Sequence, residues 1–315
     1  MQPAFASQPV DGVLLLDKPI GITSNAAIQR VKRLFCAAKA GHVGTLDPLA
    51  SGLLPVCLGE ATKFSASAFN SDKRYDADIL LGVTTTTGDI EGVVTGRQTP
   101  EVTLEQIVSS LRRFGGEIEQ TPPMYSALKR AGRPLYAYAR AGQTVAREPR
   151  RIVIHEIALR GHSADRLQIS VHCSKGTYIR VLAEDIGRTL GCGATLAGLR
   201  RTAVGAFDLV QAVTLDELAA LPEPQRPTCL RQIDCLVCAL PELMLDVDLS
   251  GRMRMGQAGQ AGPADPPGLV RLYDAARRFL GLGEVLADGR LVPRRLVATG
   301  PADLADSPLQ APKVA

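Results

Sequence analysis

Residues 13–16, Val-Leu-Leu-Leu, are apolar at every position, and the run closes at Lys18-Pro19 and Gly21. Such a run predicts a short buried strand that ends in a turn. Thr23, Ser24 and Asn25 then offer an N-cap, and Ile28, Val31, Leu34 and Phe35 recur at helical spacing. Over 75–81 the pattern switches to alternation, with Tyr75, Ala77, Ile79 and Leu81 on one face of a half-buried strand. Thr103 and Gln106 form a capping box ahead of the helical series Leu104, Ile107, Val108 and Leu111. Two strands, 151–159 and 167–173, flank a polar turn at 161–165. A helix follows with Ile179, Leu182, Ile186 and Leu190 on one side and Gly191 able to end it. Strands and helices mix without a steady βαβ alternation, which predicts an α+β fold built on a mixed, largely antiparallel sheet. Gly and Pro cluster at 222–227 and at 256–268, as they do in linkers and long loops. Between 269 and 297 the pattern predicts three small strands. We therefore expect a domain over 1–245, a small all-β domain over 246–299, and a disordered tail at 300–315.

Length and composition agree with this picture. A chain of 315 residues suggests about two domains, and 45% hydrophobic with 22% charged residues is ordinary for a soluble protein. No apolar run approaches the roughly 18 residues of a membrane span. The opening residues MQPAFASQPV lack the basic and apolar regions of a secretory signal. Seven cysteines at irregular spacing read as reduced thiols, so a cytoplasmic protein is expected.

The net charge of +4 is unevenly spread. Residues 126–210 hold 14 basic and 6 acidic groups, an excess of 8 that exceeds that of the whole chain. Lys129, Arg130, Arg133, Arg140, Arg147, Arg150 and Arg151 face only Glu148, with Tyr136 and Tyr138 among them. Cations interleaved with aromatic rings can neutralise phosphates and stack on unpaired bases, as looped RNA requires. A solvated, solubilising face is the plainer reading of the same residues.

Elimination narrows the chemistry. There is no P-loop and no GxSxG elbow, and the run from Gly191 departs from a dinucleotide fingerprint at Leu196. Cys235 and Cys238 form a lone CxxC with no second pair and no histidine at structural-zinc spacing. His42, His155, His162 and His172 show no HxxxH spacing, so no metal or cofactor is expected. What remains is the Gly- and Pro-punctuated stretch 39–63, where Asp47 sits between Thr45-Leu46 and Pro48-Leu49. A carboxylate there is partly desolvated, and with a cation or backbone donors to hold it ionised it can act as a nucleophile or base. On spacing alone an Asx-turn or an N-cap before Pro48 is the better reading, since Asp-Pro turns are common.

The order of the motifs decides between these. DGVLLLDKPIGITS (11–24), GHVGTLDPLASGLLPVCLGEATK (41–63), DKRYDADILLGVTTTTGDIEG (72–92), CSKGTYIRVLAEDIG (173–187) and LRRTAVGAF (199–207) follow one another as in the bacterial tRNA pseudouridine-55 synthase family, TruB, which the chain resembles over about 290 residues. GLGEV and PRRLV near the C-terminus resemble that family's small PUA-like domain. The resemblance implies a pseudouridine-synthase catalytic domain that isomerises uridine to pseudouridine at position 55 in the T-loop of tRNA. It casts Asp47 as the nucleophile, with Arg180 paired to it and Tyr75 stacked on the base. Asp89, Tyr178, Leu199 and Lys18 become substrate-binding residues, and His42 a wedge in the loop that the base has left. Such a reaction needs the base flipped out of its stack. The resemblance also makes the segment at about 126–151 an RNA-gripping insertion, with Lys129, Arg130, Arg133, Arg140, Arg150 and Arg151 as RNA contacts. It implies a monomer acting on the tRNA T-arm without cofactor, membrane, guide RNA or obligatory protein partner. The alternative is a tRNA-binding and refolding protein to which Asp47 is dispensable.

Overall fold

The computed structural model describes residues 10–126 and 128–298; the tail expected at 300–315 lies outside them. In chain order the principal elements are β1 (Gly12–Lys18), α1 (Ser24–Leu34), β2 (Ala50–Leu58), β3 (Lys73–Leu81), α2 (Leu104–Arg112), β4 (Gly116–Gln120), β5 (Arg150–His162), β6 (Arg166–Cys173), α3 (Ile179–Thr189) and β7 (Ala194–Val204). One sheet runs Val213–Thr214, β1, β2, β7, β3, β6, β5, β4. Its neighbours are antiparallel except at two junctions, β2 with β7 and β1 with Val213–Thr214. The expected mixed, largely antiparallel sheet is the one observed.

The apolar run in β1 is continuous because both faces are covered. Leu14 and Leu16 pack with Ile28, Val31 and Phe35 of the α1 region, whereas Val13 and Leu15 pack with Phe64, Phe207 and Leu236 on the other side. In β3 the alternation holds as read. Ala77, Ile79 and Leu81 join Ile107 and Leu111 of α2 and Leu182 and Ile186 of α3 in one core, while Arg74 and Asp76 are exposed. Thr103 and Gln106 cap α2 reciprocally, and Thr23 caps α1 by accepting from the Ala26 amide.

The parallel junction depends on a glycine. Gly52 pairs with Arg201 of β7 and sits at φ +99°, and a Cβ there would lie 2.3 Å from the Arg201 carbonyl oxygen. Only a residue without a side chain lets the two backbones approach this closely.

The C-terminal sheet has five strands, in the order Glu242–Met244, Gly268–Tyr273, Phe279–Val285, Arg290–Leu296 and Gly259–Gln260. Three of these are the strands read from 269–297. The outer two are three and two residues long, too short for periodicity to register, and one begins ahead of position 246. A helix, Val247–Arg254, capped by Asp246, also belongs to this region and buries Met253 against the sheet. Ser250 and Gly251 break its pattern, so periodicity does not mark it. The cluster at 222–227 is not a spacer. It folds into tight turns over Glu223–Cys229, and Arg226 donates to the carbonyl oxygens of Leu34 (2.7 Å) and Leu221 (3.2 Å). The two sheets are joined by Phe64 edge-on to Phe279, with centroids 5.4 Å apart, and by Lys63 Nζ donating to the Leu296 carbonyl at 3.1 Å.

Candidate active site

Asp47 lies in the loop between the short strand Ala40–His42 and β2. No helix follows it. Pro48 and Leu49 form a turn closed by the Ala50 amide donating to the Asp47 carbonyl at 3.0 Å, so the N-cap reading fails and the carboxylate is left free for other work. The loop is pinned from several sides. Ser24 Oγ donates to the Leu46 carbonyl (2.9 Å) and accepts from the Leu46 amide (2.8 Å). The Gly21 amide donates to the Pro48 carbonyl (2.8 Å). Leu46 is buried directly before the half-exposed Asp47. The 11–24 motif therefore acts as a clamp on the 41–63 motif.

Arg180, on the first turn of α3, meets this carboxylate. Its guanidinium is 93% buried, with Nη2 3.0 Å from Asp47 Oδ2 and Nη1 3.5 Å from Asp89 Oδ2. It also donates to the carbonyl oxygens of Tyr125 (2.7 Å) and Thr87 (3.2 Å). A buried guanidinium held by two backbone carbonyls and facing two carboxylates gives Asp47 a standing cation. The start of α3 is itself held by Gln120 at the end of β4. That side chain donates to the Tyr178 carbonyl (3.0 Å) and accepts from the Tyr178 amide (2.7 Å).

Tyr75 and Leu199 line the seam where β3 meets β7. Both are half-buried, and both touch the apolar clusters on either side of it. Directly opposite Tyr75 in the β3–β7 register stands Arg201, 1% exposed. Arg201 donates to the carbonyls of Leu53 (2.7 Å) and Gly44 (2.9 Å), and a Cβ at Gly44 would lie 3.1 Å from its Nη1. Burial raises the Tyr75 hydroxyl above the ordinary tyrosine value, against the nearby Arg201 cation, so the ring stays a neutral phenol. Burial also lowers Arg201, with Tyr75 opposing.

The remaining expected residues take different places. Asp89 is buried, accepting from Thr87 Oγ1 (2.6 Å) and the Glu91 amide (3.2 Å) as well as facing Arg180. His42 is half-buried, 3.3 Å from Thr45 Oγ1, and burial with Arg201 pulls it below the usual histidine value, keeping it uncharged. Tyr178 is half-buried and raised, chiefly by burial. Lys18 lies beneath the site, 0% exposed, donating to the carbonyls of Ile22 (2.7 Å) and Pro19 (2.9 Å). Its ammonium is pulled down to about 8 by burial, with Asp47 working the other way. In this position it braces the turn that carries Gly21 and Ile22. Asp47, Asp89 and Glu91 face Arg180, Lys18 and Arg201 here, and burial with the two aspartates raises Glu91.

The basic segment presents a separate surface. Lys129 and Arg130 pair with Arg133 and Pro134 in a small hairpin, and a helical turn covers Leu135–Arg140. Arg133 lies over the Tyr138 ring at 4.6 Å and Arg140 over Tyr136 at 5.4 Å. Lys129, Arg130, Arg133, Arg140, Arg150 and Arg151 are all exposed, Arg151 being paired with Glu117 at 3.1 Å. Sequence reasoning singled out neither Ser24, Gln120 nor Arg201 as site residues. Two of them stand inside the motifs it used, yet a buried arginine without a carboxylate at hand leaves no mark in spacing.

Three family models match the chain. That described as TruB family pseudouridylate synthase (N terminal domain) matches residues 32–179. The model for the tRNA pseudouridylate synthase B C-terminal domain matches 180–248, and that for pseudouridine synthase II TruB, C-terminal, matches 241–297. The chain is 54% identical over 294 residues to the tRNA pseudouridine synthase B of Thiobacillus denitrificans, covering 93% of this chain and 98% of that one. It is 53% identical over 290 residues to the protein of the same name from Aromatoleum aromaticum, covering 92% and 94%. Among solved structures it resembles a chain of a Cbf5-Nop10-Gar1 complex, with a TM-score of 0.66 and 27% identity over 87% of this chain and 78% of that one.

Proposed function

Since the chain belongs to the TruB family of pseudouridylate synthases, we propose that it isomerises uridine to pseudouridine in the T-loop of tRNA, at position 55, with Asp47 as the nucleophile. The observation that carries this reading is the half-exposed Asp47 carboxylate held 3.0 Å from the buried Arg180 in a clamped loop. In the reaction the bond from N1 to the ribose C1′ breaks, the uracil turns, and a bond from C5 to C1′ forms. One proton leaves C5 and one is gained at N1, so the change is redox-neutral and the product has the composition of the substrate. Asp47 attacks the uridine at the base or at C1′, and Arg180 keeps it ionised and aimed. Tyr75, a neutral phenol, offers its ring to the flipped base and its hydroxyl to the region where the C5 proton departs. Leu199 forms the other wall of the slot. The uncharged His42 has the shape and polarity to fill the gap in the loop stack, which offsets part of the unstacking cost of a few kcal/mol.

The exposed cations of 126–151, with Tyr136 and Tyr138, supply phosphate contacts and stacking surface for the T-arm. Binding through them is salt-dependent. Replacing Lys129, Arg133 and Arg140 together by Gln is expected to make the slope of log affinity against log salt shallower by about 2 to 3, at about 0.7–0.9 per lost contact. An unchanged slope would remove the segment from the interface. We further propose that the enzyme works in the cytoplasm, as a monomer, on bare tRNA; among the described residues no helix is long and apolar enough to cross a membrane.

The reading is tested with unmodified tRNA transcript carrying tritium at uridine C5. The pure protein is expected to release one tritium per tRNA, mapped to the T-loop uridine. Binding without release would leave a tRNA-refolding protein instead.

A further inference from the structure

Asp72, His155 and His172 meet on the face of the main sheet opposite that of Tyr75. Asp72 immediately precedes β3, and His172 on β6 pairs in register with Arg74, whose side chain alternates away from Tyr75. His155 is the extra residue of a bulge in β5. The register passes from Ile154 opposite Cys173 to Glu156 opposite His172, leaving His155 without a partner across the ladder. Its ring lies against His172 with centroids 4.7 Å apart and planes at 44°. Both Nε2 atoms turn toward one oxygen, Asp72 Oδ2, at 3.1 Å from His155 and 4.0 Å from His172. Both are ion-pair distances, the first a close contact and the second at the outer limit.

We propose that Asp72, His155 and His172 form a binding site for a divalent transition-metal ion, with zinc(II) as the fitting case. Two imidazole nitrogens and a carboxylate are a donor set that zinc accepts, and bonds of about 2.0–2.2 Å place tetrahedral ligands about 3.3 Å apart. The three ligand atoms already lie within 4.8 Å of one another. The Asp72–His155 pair needs no adjustment, and His172 must close by about 0.7 Å on Asp72 and by up to about 1.5 Å on His155, within reach of a partly exposed side chain. All three are open to solvent, so water can fill the remaining position and the ion keeps part of its hydration. Of the cations beside this group, Lys73 turns its ammonium to the carbonyls of Phe69 and Ser71, and Arg74 lies 3.9 Å from Glu156, which offsets its repulsion of an incoming ion. A bound ion would tie the residue leading into β3, the strand that carries Tyr75, to β5 and β6.

The test uses the full-length protein freed of metal with a chelator and titrated with zinc(II), by calorimetry and by thermal melting. One ion per chain and a melting temperature that climbs with zinc concentration are expected. His155→Gln, His172→Gln and Asp72→Asn should each weaken binding at least about tenfold and abolish the climb, while metal-free melting and tritium release stay at wild-type levels. The cobalt(II) complex should lack the intense charge-transfer absorption of a thiolate ligand. Absence of saturable binding, equal affinity in wild type and variants, or a thiolate spectrum traceable to Cys235 and Cys238 would each overturn the proposal.

Discussion

Asp47→Asn is expected to lower turnover by about 10⁴-fold or more while leaving the folded protein and its tRNA affinity near wild type. The amide keeps the size of the carboxylate and removes its negative charge, and an amide oxygen is a poor nucleophile toward a uridine. The fold tolerates the change because Arg180 keeps Asp89 and the carbonyls of Tyr125 and Thr87. The lost ion pair has a half-exposed partner, and such pairs contribute about 1 kcal/mol or less. Affinity is set largely by phosphate contacts remote from this group. Tritium release, a melting curve and a filter-binding titration on the same preparation check the three statements together. Turnover within tenfold of wild type would remove Asp47 from the chemistry. Lost turnover accompanied by lost binding would instead indicate a collapsed site.

Arg180→Met should have the largest effect on stability. It leaves Asp89 buried without a cation, and breaking a buried pair by removing one partner costs about 3–5 kcal/mol. At roughly 2–4 °C per kcal/mol for a chain of this size, the melting temperature should fall by about 6–20 °C. Activity should drop at least about 100-fold, since a nucleophile displaced by about 1 Å loses that much. Adding Asp89→Asn separates the two roles. The double variant should regain much of the stability, because no unpaired buried carboxylate remains, whereas activity should stay low because Asp47 still lacks its partner. If the single variant melts within 2 °C of wild type by about the same conversion, the Arg180–Asp89 contact does not hold the fold.

Much of this site was legible in the chain. Asp47, Arg180 and Tyr75 stand in motifs whose order is distinctive, and the structure brings Asp47 and Arg180 into contact and lays Tyr75 along the seam beside them. Spacing alone pointed the other way for Asp47, toward a helix cap, because local pattern carries no information about a guanidinium arriving from α3. Lys18 illustrates the converse. Its motif marked it as a substrate contact, yet it is fully buried and bonded to two backbone carbonyls, a role that sequence cannot tell from a surface one. Gln120 and Arg201 stayed hidden because each acts through backbone groups, on Tyr178 and on Gly44 and Leu53, and backbone partners impose no residue pattern. The long strands were plain from their periods. The two- and three-residue strands of the C-terminal sheet fell below the length at which a period exists.

The Gly52–Arg201 junction bears on the order of events during synthesis. Arg201 reaches back 157 positions to Gly44 and 148 to Leu53, and β7 is inserted between β2 and β3, which are much earlier in the chain. On the ribosome, the segment bearing Asp47 emerges long before Arg180 and Arg201, the two arginines that contact its loop. Its neighbouring strands must wait with an open edge for β7 to be translated and inserted. Contacts of such high sequence separation make folding slow and place it late. The loop that carries Asp47 therefore lacks its contact with Arg201 until β7, which ends at Val204 of the 315 residues, has been made and inserted.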